Sequence, residues 1–172
     1  MAARVITVLA VVATLSVVAL YITVVRSVDG PAQPDVLTAP FVAGYLLLMA
    51  VLLTASLFAP PGARPALRAA ASAGLLVLGV LAAFSIGTAI LIAAALAIAS
   101  TVLAMRAEPT ARSQISGTIA AVLAIALLVG GFEFTWNYLA CPPTGESGGS
   151  TASFLGHGSI YACDNGVLTV QH

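Results

Sequence analysis

The stretch Ala69–Met105, AAASAGLLVLGVLAAFSIGTAILIAAALAIASTVLAM, runs for 37 residues without a charged side chain. One straight helix of this length would measure roughly 55 Å, because each residue adds about 1.5 Å, whereas the hydrocarbon layer of a membrane is about 30 Å thick. Tilting cannot absorb so large an excess. The stretch therefore predicts two membrane-spanning helices. We expect the break at Phe84–Thr88, where Gly87 lets the backbone turn and a Ser or Thr can cap the next helix.

The whole chain has the composition of a membrane protein. Of its 172 residues, 60% are hydrophobic and only 7% are charged, whereas a soluble domain carries roughly 25% charged residues to cover its core. All six basic residues are arginines, they are scattered, and the formal net charge is zero. The composition therefore excludes a soluble protein and favours the lipid bilayer as surroundings. It also argues against nucleic acid as a partner, since no basic stripe is present.

Three further spans are predicted from apolar runs of about 20 residues. Val5–Val25 could instead be a secretory signal peptide, but the run exceeds the usual length of roughly 7 to 15 residues and no small-x-small cleavage site follows it. We therefore predict an all-α integral membrane protein with a five-helix transmembrane bundle over residues 1–140 and a tail over residues 141–172. The predicted spans cover residues 5–25, 40–59, 68–84, 88–105 and 115–139.

The arginines test the number of spans independently, because short cytoplasmic loops are enriched in Lys and Arg. With four spans the arginines divide three against three, which specifies no orientation. With five spans only Arg26 lies on one side, and the other side holds Arg4, Arg64, Arg68, Arg106 and Arg112. This bias predicts a multi-pass protein of the cell membrane with a cytoplasmic N-terminus and an extracytoplasmic C-terminus.

The predicted tail contains the only two cysteines of the chain, Cys141 and Cys163. In an oxidising compartment two such cysteines usually pair, so we expect a disulfide that folds the tail back onto the outer face. Between them, Pro142–Ser150 is rich in turn formers and is expected to be a mobile loop. A redox role for the cysteines is the weaker alternative, because membrane thiol oxidases use two cysteine pairs or a Cys-x-x-Cys.

A β-hairpin is predicted near the end of the tail. Asn-Gly is the strongest signal for a two-residue turn, since both residues of a type I′ turn need positive φ, and residues of high β-propensity flank Asn165-Gly166 on both sides. An isolated hairpin is only marginally stable in water, so the disulfide is expected to hold it. The predicted cross-strand pairs are Asp164 with Val167, Cys163 with Leu168, and Tyr161 with Val170.

Glu133 is the one acidic residue inside a predicted span. A buried ionised carboxylate costs several kcal/mol unless it is paired, hydrated or protonated, so an acid in a membrane helix is a functional candidate. Asn137 follows one helical turn later on the same face. Three roles stay open for Glu133: a salt bridge with Arg26, a contact with another membrane protein, or a proton or cation site. Trp136 and Tyr138 are expected in the aromatic belt at the membrane interface.

Small residues crowd the third and fourth predicted spans, as in Ala69–Gly74 and Ala93–Ser100. In lipid, small residues let helix backbones approach closely, which predicts tight packing of these two spans. The alternative is composition alone, because frequent Ala and the use of Arg without Lys are typical of a bacterium with a G+C-rich genome.

The chain offers no pattern typical of a catalytic or cofactor site. His157 and His172 are too few and too far apart in the sequence to form a metal site with Asp164. There is no Walker-type loop, and no catalytic set can be assembled outside the membrane. We therefore expect no metal, no cofactor and no enzymatic activity.

The preferred hypothesis is an accessory or assembly subunit of a larger complex, whose partners are other integral membrane protein subunits. The alternative is a small transporter or channel that uses Glu133 as a proton or cation site, and a thiol-redox enzyme is the third hypothesis.

Overall fold

The computed structural model describes residues 2–28, 37–107, 111–138, 141, 144–150, 154 and 160–171. Most of these residues are helical, and the last three elements form a small antiparallel sheet. In chain order the elements are α1 (Ala2–Val28), α2 (Thr38–Phe58), α3 (Arg64–Leu81), α4 (Gly87–Ala107), α5 (Ala111–Asn137), β1 (Glu146–Ser150), β2 (Ile160–Asp164) and β3 (Val167–Gln171).

Each of the helices α1 to α5 is long and apolar enough to cross a membrane. The predicted number of long apolar helices, five, is therefore confirmed for the described part of the chain. The helix bounds lie near the predicted ends, and the larger differences are at the starts of α3 and α5, each of which begins about one helical turn before the predicted span. Insertion of these helices into a bilayer stays a prediction.

Proline sets the connection between α2 and α3. Pro60 and Pro61 have no backbone N–H and cannot continue α2. The carbonyl of Pro60 instead accepts the N–H groups of Ala63 at 3.0 Å and Arg64 at 3.3 Å. Pro65 then occupies the first turn of α3, where a missing N–H costs nothing. Arg64 is thereby placed at the first turn of a buried helix.

The turn between α3 and α4 covers residues 82–86, so it begins two residues before the predicted break at Phe84–Thr88 and ends where α4 starts at Gly87. The N–H of Gly87 donates to the carbonyl of Ala82 at 2.8 Å. A Cβ on Gly87 would lie 2.5 Å from the carbonyl oxygens of both Ala82 and Gly79, which is too close for any side chain. Glycine therefore lets the start of α4 lie directly against the end of α3.

The chain divides into two compact units. The first consists of Met1–Tyr21 and Gly44–Leu128. Within it α3 packs on α4, and both helices carry fully buried alanines: Ala71, Ala93, Ala94 and Ala97. The hydroxyl groups of Ser72 and Thr101 are hydrogen-bonded across the same contact at 2.9 Å. Small residues thus do pack two helices closely, as one of the two alternatives predicts.

Within this unit an aromatic side chain joins α2 to α5. The hydroxyl of Tyr45 donates to the carbonyl of Ala124 in α5 at 2.8 Å. Tyr45 and Met49 both lie against Gly74 of α3, where a Cβ would overlap with them. A small residue in α3 therefore makes room for the large side chains of α2.

The second unit consists of Ile22–Ala43 and Val129–His172 and contains the sheet. The strands are antiparallel in the order β1-β2-β3. The predicted hairpin is confirmed as β2 and β3, with Asn165 at φ 44° and Gly166 at φ 85° in the turn. Its register is also the predicted one, pairing Asp164 with Val167, Cys163 with Leu168 and Tyr161 with Val170.

The expectation of a mobile loop over Pro142–Ser150 is wrong for Glu146–Ser150, which forms β1; Pro142 and Pro143 lie outside the described residues. The glycines here admit a neighbouring side chain, because a Cβ on Gly149 would lie 2.8 Å from the hydroxyl oxygen of Tyr161. Gly145, at φ 98°, also accepts the N–H of Asn165 at 3.1 Å. Gly145 and Gly149 therefore take part in the pairing of β1 with β2.

The substitution Gly87→Ala tests the close contact of α3 and α4. Because a Cβ would overlap with backbone atoms that cannot rotate away, we expect destabilisation of about 1 to 3 kcal/mol, measured by thermal unfolding of the purified protein in detergent. Gly44→Ala is the control, since a Cβ there has nothing within 4 Å and Ala favours the helix. Equal stability of the two variants would contradict the proposed need for glycine.

Candidate functional site

The sheet is attached covalently to the end of α5. Cys141 and Cys163 form the predicted disulfide, with their Cα atoms 5.6 Å apart. Cys141 follows the last residue of α5 by four positions, and Cys163 lies in β2 with only 2% of its surface exposed. The bond holds the central strand of the sheet beside the helix terminus.

Glu133 makes a second attachment of the tail to α5. Its carboxylate oxygen Oε2 accepts a hydrogen bond from the backbone N–H of Phe154 at 3.1 Å. Because Phe154 lies between β1 and β2 in the chain, this bond joins α5 to the segment that connects these strands. The sequence singles out Glu133, but it gives no sign that a backbone N–H of the tail is a partner.

Four aromatic side chains form a cluster around the same attachment: Phe41, Phe132, Trp136 and Phe154. We call this group the aromatic cluster. The ring centroids of Trp136 and Phe154 are 5.1 Å apart, and those of Phe132 and Trp136 are 5.2 Å apart. Phe132 also meets Phe41 at 5.4 Å and Phe154 at 6.5 Å, both edge to face. Such pairs contribute roughly 0.5 to 1.5 kcal/mol each beyond the area they bury.

Glycine permits the cluster to form on α5. A Cβ on Gly131 would overlap with the ring of Phe41, so the ring lies directly on the helix backbone. Phe132 and Trp136 are four residues apart and share one helix face, a spacing visible in the sequence. Phe154 is the only aromatic residue between Cys141 and Tyr161. These two signals in the sequence point to the cluster, although neither shows that Phe154 meets Phe132 and Trp136.

The other predicted site residues have different positions. Arg26 is exposed near the end of α1, and its pairing with Glu133 stays a prediction. Tyr138 is exposed just after α5, whereas Trp136 is half-buried in the aromatic cluster; their place in an interfacial belt also stays a prediction. The side chain of Asn137 lies outside the described part of the structure.

Among the residues that the structure describes, no group of three or more His, Cys, Asp or Glu side chains could hold a metal ion. His157 and His172 lie outside the described residues.

Among the residues that the structure describes, β3 forms an open edge of the sheet. Every residue of this strand is exposed, and within that part of the chain it pairs with β2 alone. Its apolar side chains include Val167 at 63%, Leu168 at 40% and Val170 at 42% exposure. An apolar edge strand is a template for pairing with another strand, and proteins usually protect such edges with charges, prolines or bulges. β3, with the sequence VLTVQ, carries none of these.

Comparison of the chain with protein-family models, with curated proteins and with solved structures found no significant similarity. Function therefore has to be inferred from the geometry of the chain itself. In the second unit, that geometry is a sheet held to a helix end by a disulfide, a carboxylate and a group of aromatic rings, with an apolar strand at its open edge.

The bond between Glu133 and the Phe154 amide can be tested by hydrogen exchange. We expect Glu133→Ala to speed exchange of this amide roughly fivefold, corresponding to a lost hydrogen bond of about 1 kcal/mol. Glu133→Gln keeps an acceptor oxygen and should change exchange less. The measurement is amide exchange by NMR in detergent micelles. Exchange at Phe154 that is the same in all three proteins would show that the carboxylate does not hold the tail.

The predicted salt bridge between Arg26 and Glu133 can be tested by a double-mutant cycle. We expect the stability losses of Arg26→Gln and Glu133→Gln to be non-additive by more than about 0.5 kcal/mol, because each change alone already removes the attraction. The readout is thermal unfolding of the two single variants and the double variant. Strictly additive losses would show that these side chains do not meet.

Proposed function

We propose that the chain is a multi-pass membrane protein that acts as a non-enzymatic accessory or assembly subunit of a larger membrane protein complex. In this proposal the N-terminus is cytoplasmic, and the sheet lies on the extracytoplasmic side of the cell membrane, where it contacts another subunit.

Exposed apolar surface on the helices supports the membrane location. Large hydrophobic side chains are exposed on all five helices, including Val12, Val51, Val80, Ile92 and Leu123. In water so many exposed apolar side chains favour aggregation, whereas lipid chains can cover them. The bias of the arginines supports the orientation, and so does the cystine, because disulfides persist in oxidising compartments.

The open edge at β3 is the observation that carries the proposal. In a hairpin closed by a two-residue turn, the pair next to the turn exchanges both backbone hydrogen bonds, and alternate pairs do so after it. The pair Tyr161–Val170 is one of the pairs that do not. The N–H and C=O of Val170 therefore point to the open side of β3, where a strand of a partner can bind them.

The contact of Glu133 with the tail favours this proposal over transport. A transport site is usually placed near the membrane midplane, on broken helices that expose polar groups. Glu133 instead lies in the last turns of α5 and accepts a backbone N–H of the tail. A role in holding the sheet explains both the position of the acid and its partner.

The experiment compares two changes at one edge position. Val170→Pro removes an outward N–H without removing a bond to β2, and proline is tolerated on edge strands. Val170→Thr is the matched control, because it keeps the N–H and a β-branched side chain. We expect wild type and Val170→Thr to co-purify with the same subunit from native membranes in mild detergent. Val170→Pro should retain at least tenfold less of it, with the sheet disulfide intact.

Two results would contradict the proposal. One is a wild-type chain that purifies alone under these conditions, or a bound subunit that Val170→Pro retains in full. The other is ion flux in liposomes that is lost in Glu133→Gln, since this result would support the transporter hypothesis instead.

A further inference from the structure

A cavity in the first unit brings three arginines together. It has a volume of about 140 Å³, and Arg4, Arg64, Arg68 and Ser56 are among its lining residues. No carboxylate lines it among the residues that the structure describes. The helices α1 and α3 bring these arginines together, and no spacing in the sequence predicts this contact.

Arg68 is the buried member of the group, with 4% of its surface exposed. Its Nε donates to the hydroxyl oxygen of Ser56 at 3.2 Å, and its Nη1 donates to the carbonyl oxygen of Ser100 at 3.4 Å. These bonds use two of the five N–H groups that a guanidinium offers. Both acceptors are neutral, so they solvate the guanidinium only in part and do not balance its charge. A buried charge in this situation is costly unless an opposite charge joins it.

The other two arginines extend the positive surface toward solvent. Arg64 is half-buried, and its Nε donates to the carbonyl oxygen of Ala59 at 2.8 Å. Arg4 is exposed. Three like charges around one space repel each other, and an anion between them would add attractive interactions that offset this repulsion.

The N-terminus of α3 adds to the positive electrostatic potential of the cavity. Arg64 and Pro65, in the first turn of the helix, both line the cavity. The N-cap residue, Ala63, has no side chain that could accept the N–H groups of the first turn. Helix N-termini carry a partial positive charge and commonly bind phosphate. Here this effect adds to the buried guanidinium of Arg68.

We propose that this cavity binds a phosphate group, which Arg4, Arg64 and Arg68 hold through their guanidinium N–H groups. A planar guanidinium group can donate two parallel N–H···O hydrogen bonds to two oxygens of one phosphate. The volume corresponds to roughly ten water-sized spaces, enough for a phosphate with some of its water. The phosphate is either a free anion or the headgroup of an anionic lipid. In the proposed orientation the cavity opens on the cytoplasmic side, where anionic lipids concentrate.

The first arm of the test uses inorganic phosphate. The full-length protein in detergent is titrated with phosphate at constant ionic strength and followed by calorimetry. We expect saturable binding by wild type that weakens about tenfold or more in Arg64→Gln and in Arg4→Gln. Arg64→Lys keeps the charge but loses the planar guanidinium group, so its affinity for phosphate should lie between those of wild type and Arg64→Gln. Arg26→Gln, which removes an exposed arginine of the other unit, should bind as wild type does.

The second arm uses lipid. The same proteins are incubated with phosphatidylglycerol or phosphatidylcholine, and the lipids that remain bound are counted by native mass spectrometry. If the source is a headgroup, wild type retains phosphatidylglycerol in preference to phosphatidylcholine, and Arg64→Gln loses this preference. Binding of phosphate without this preference identifies a free anion as the source.

Gel filtration checks that each variant is folded, and Arg26→Gln shows the effect of removing an arginine outside the cavity. Arg68→Gln is not a deciding variant, because Arg68 also links α3 to α2 and α4. The proposal is overturned if folded wild type binds neither probe. It is also overturned if Arg4→Gln and Arg64→Gln both bind phosphate and phosphatidylglycerol as tightly as wild type does.

Discussion

The close approach of Gly87 to the carbonyl groups of Gly79 and Ala82 is the contact on which the first unit depends. An apolar run too long for one span must reverse direction, and it can do so within a few residues only where no Cβ intervenes. The reversal lays α4 antiparallel on α3, which brings Ser72 to Thr101 and Arg68 to the carbonyl of Ser100. The arginine cavity therefore depends on a glycine at the far end of the same helix pair.

The second unit is built on a different principle. Its sheet is too small to bury a core of its own, and an isolated hairpin is marginal in water. Stability has to come from attachment to α5, and the attachments differ in kind: a covalent bond at Cys163, a hydrogen bond to Glu133 and stacked rings at Trp136. Attachments of three kinds fix both the position and the orientation of the strands. A strand edge held in this way can bind a partner with little loss of conformational entropy.

Sequence patterns predicted the parts of the fold that local chemistry decides. Run length and the glycine at position 87 predicted the α3–α4 break, and Asn165-Gly166 predicted the hairpin and its register. β1 is not predicted because its sequence, ESGGS, is poor in residues of high β-propensity, and the space that Gly149 leaves for the Tyr161 ring is not visible in that sequence. The contacts of Glu133 and Arg68 were missed for a similar reason. Phe154 lies 21 residues after Glu133, and Ser100 lies 32 residues after Arg68 on another helix. No spacing rule links residues so far apart in the chain.

The burial of Arg68 argues for a functional role of this residue beyond packing. If the residue served only to join helices, neutral hydrogen bonds would suffice, and Ser72 and Thr101 already make one between α3 and α4. Replacing a buried ion by an apolar residue of similar volume is often neutral or stabilising, so packing alone does not explain an arginine there. The chain has only six basic residues, and three of them line this one cavity. An anionic ligand accounts for this concentration of charge, because the attraction of each arginine to the anion offsets the repulsion among the arginines.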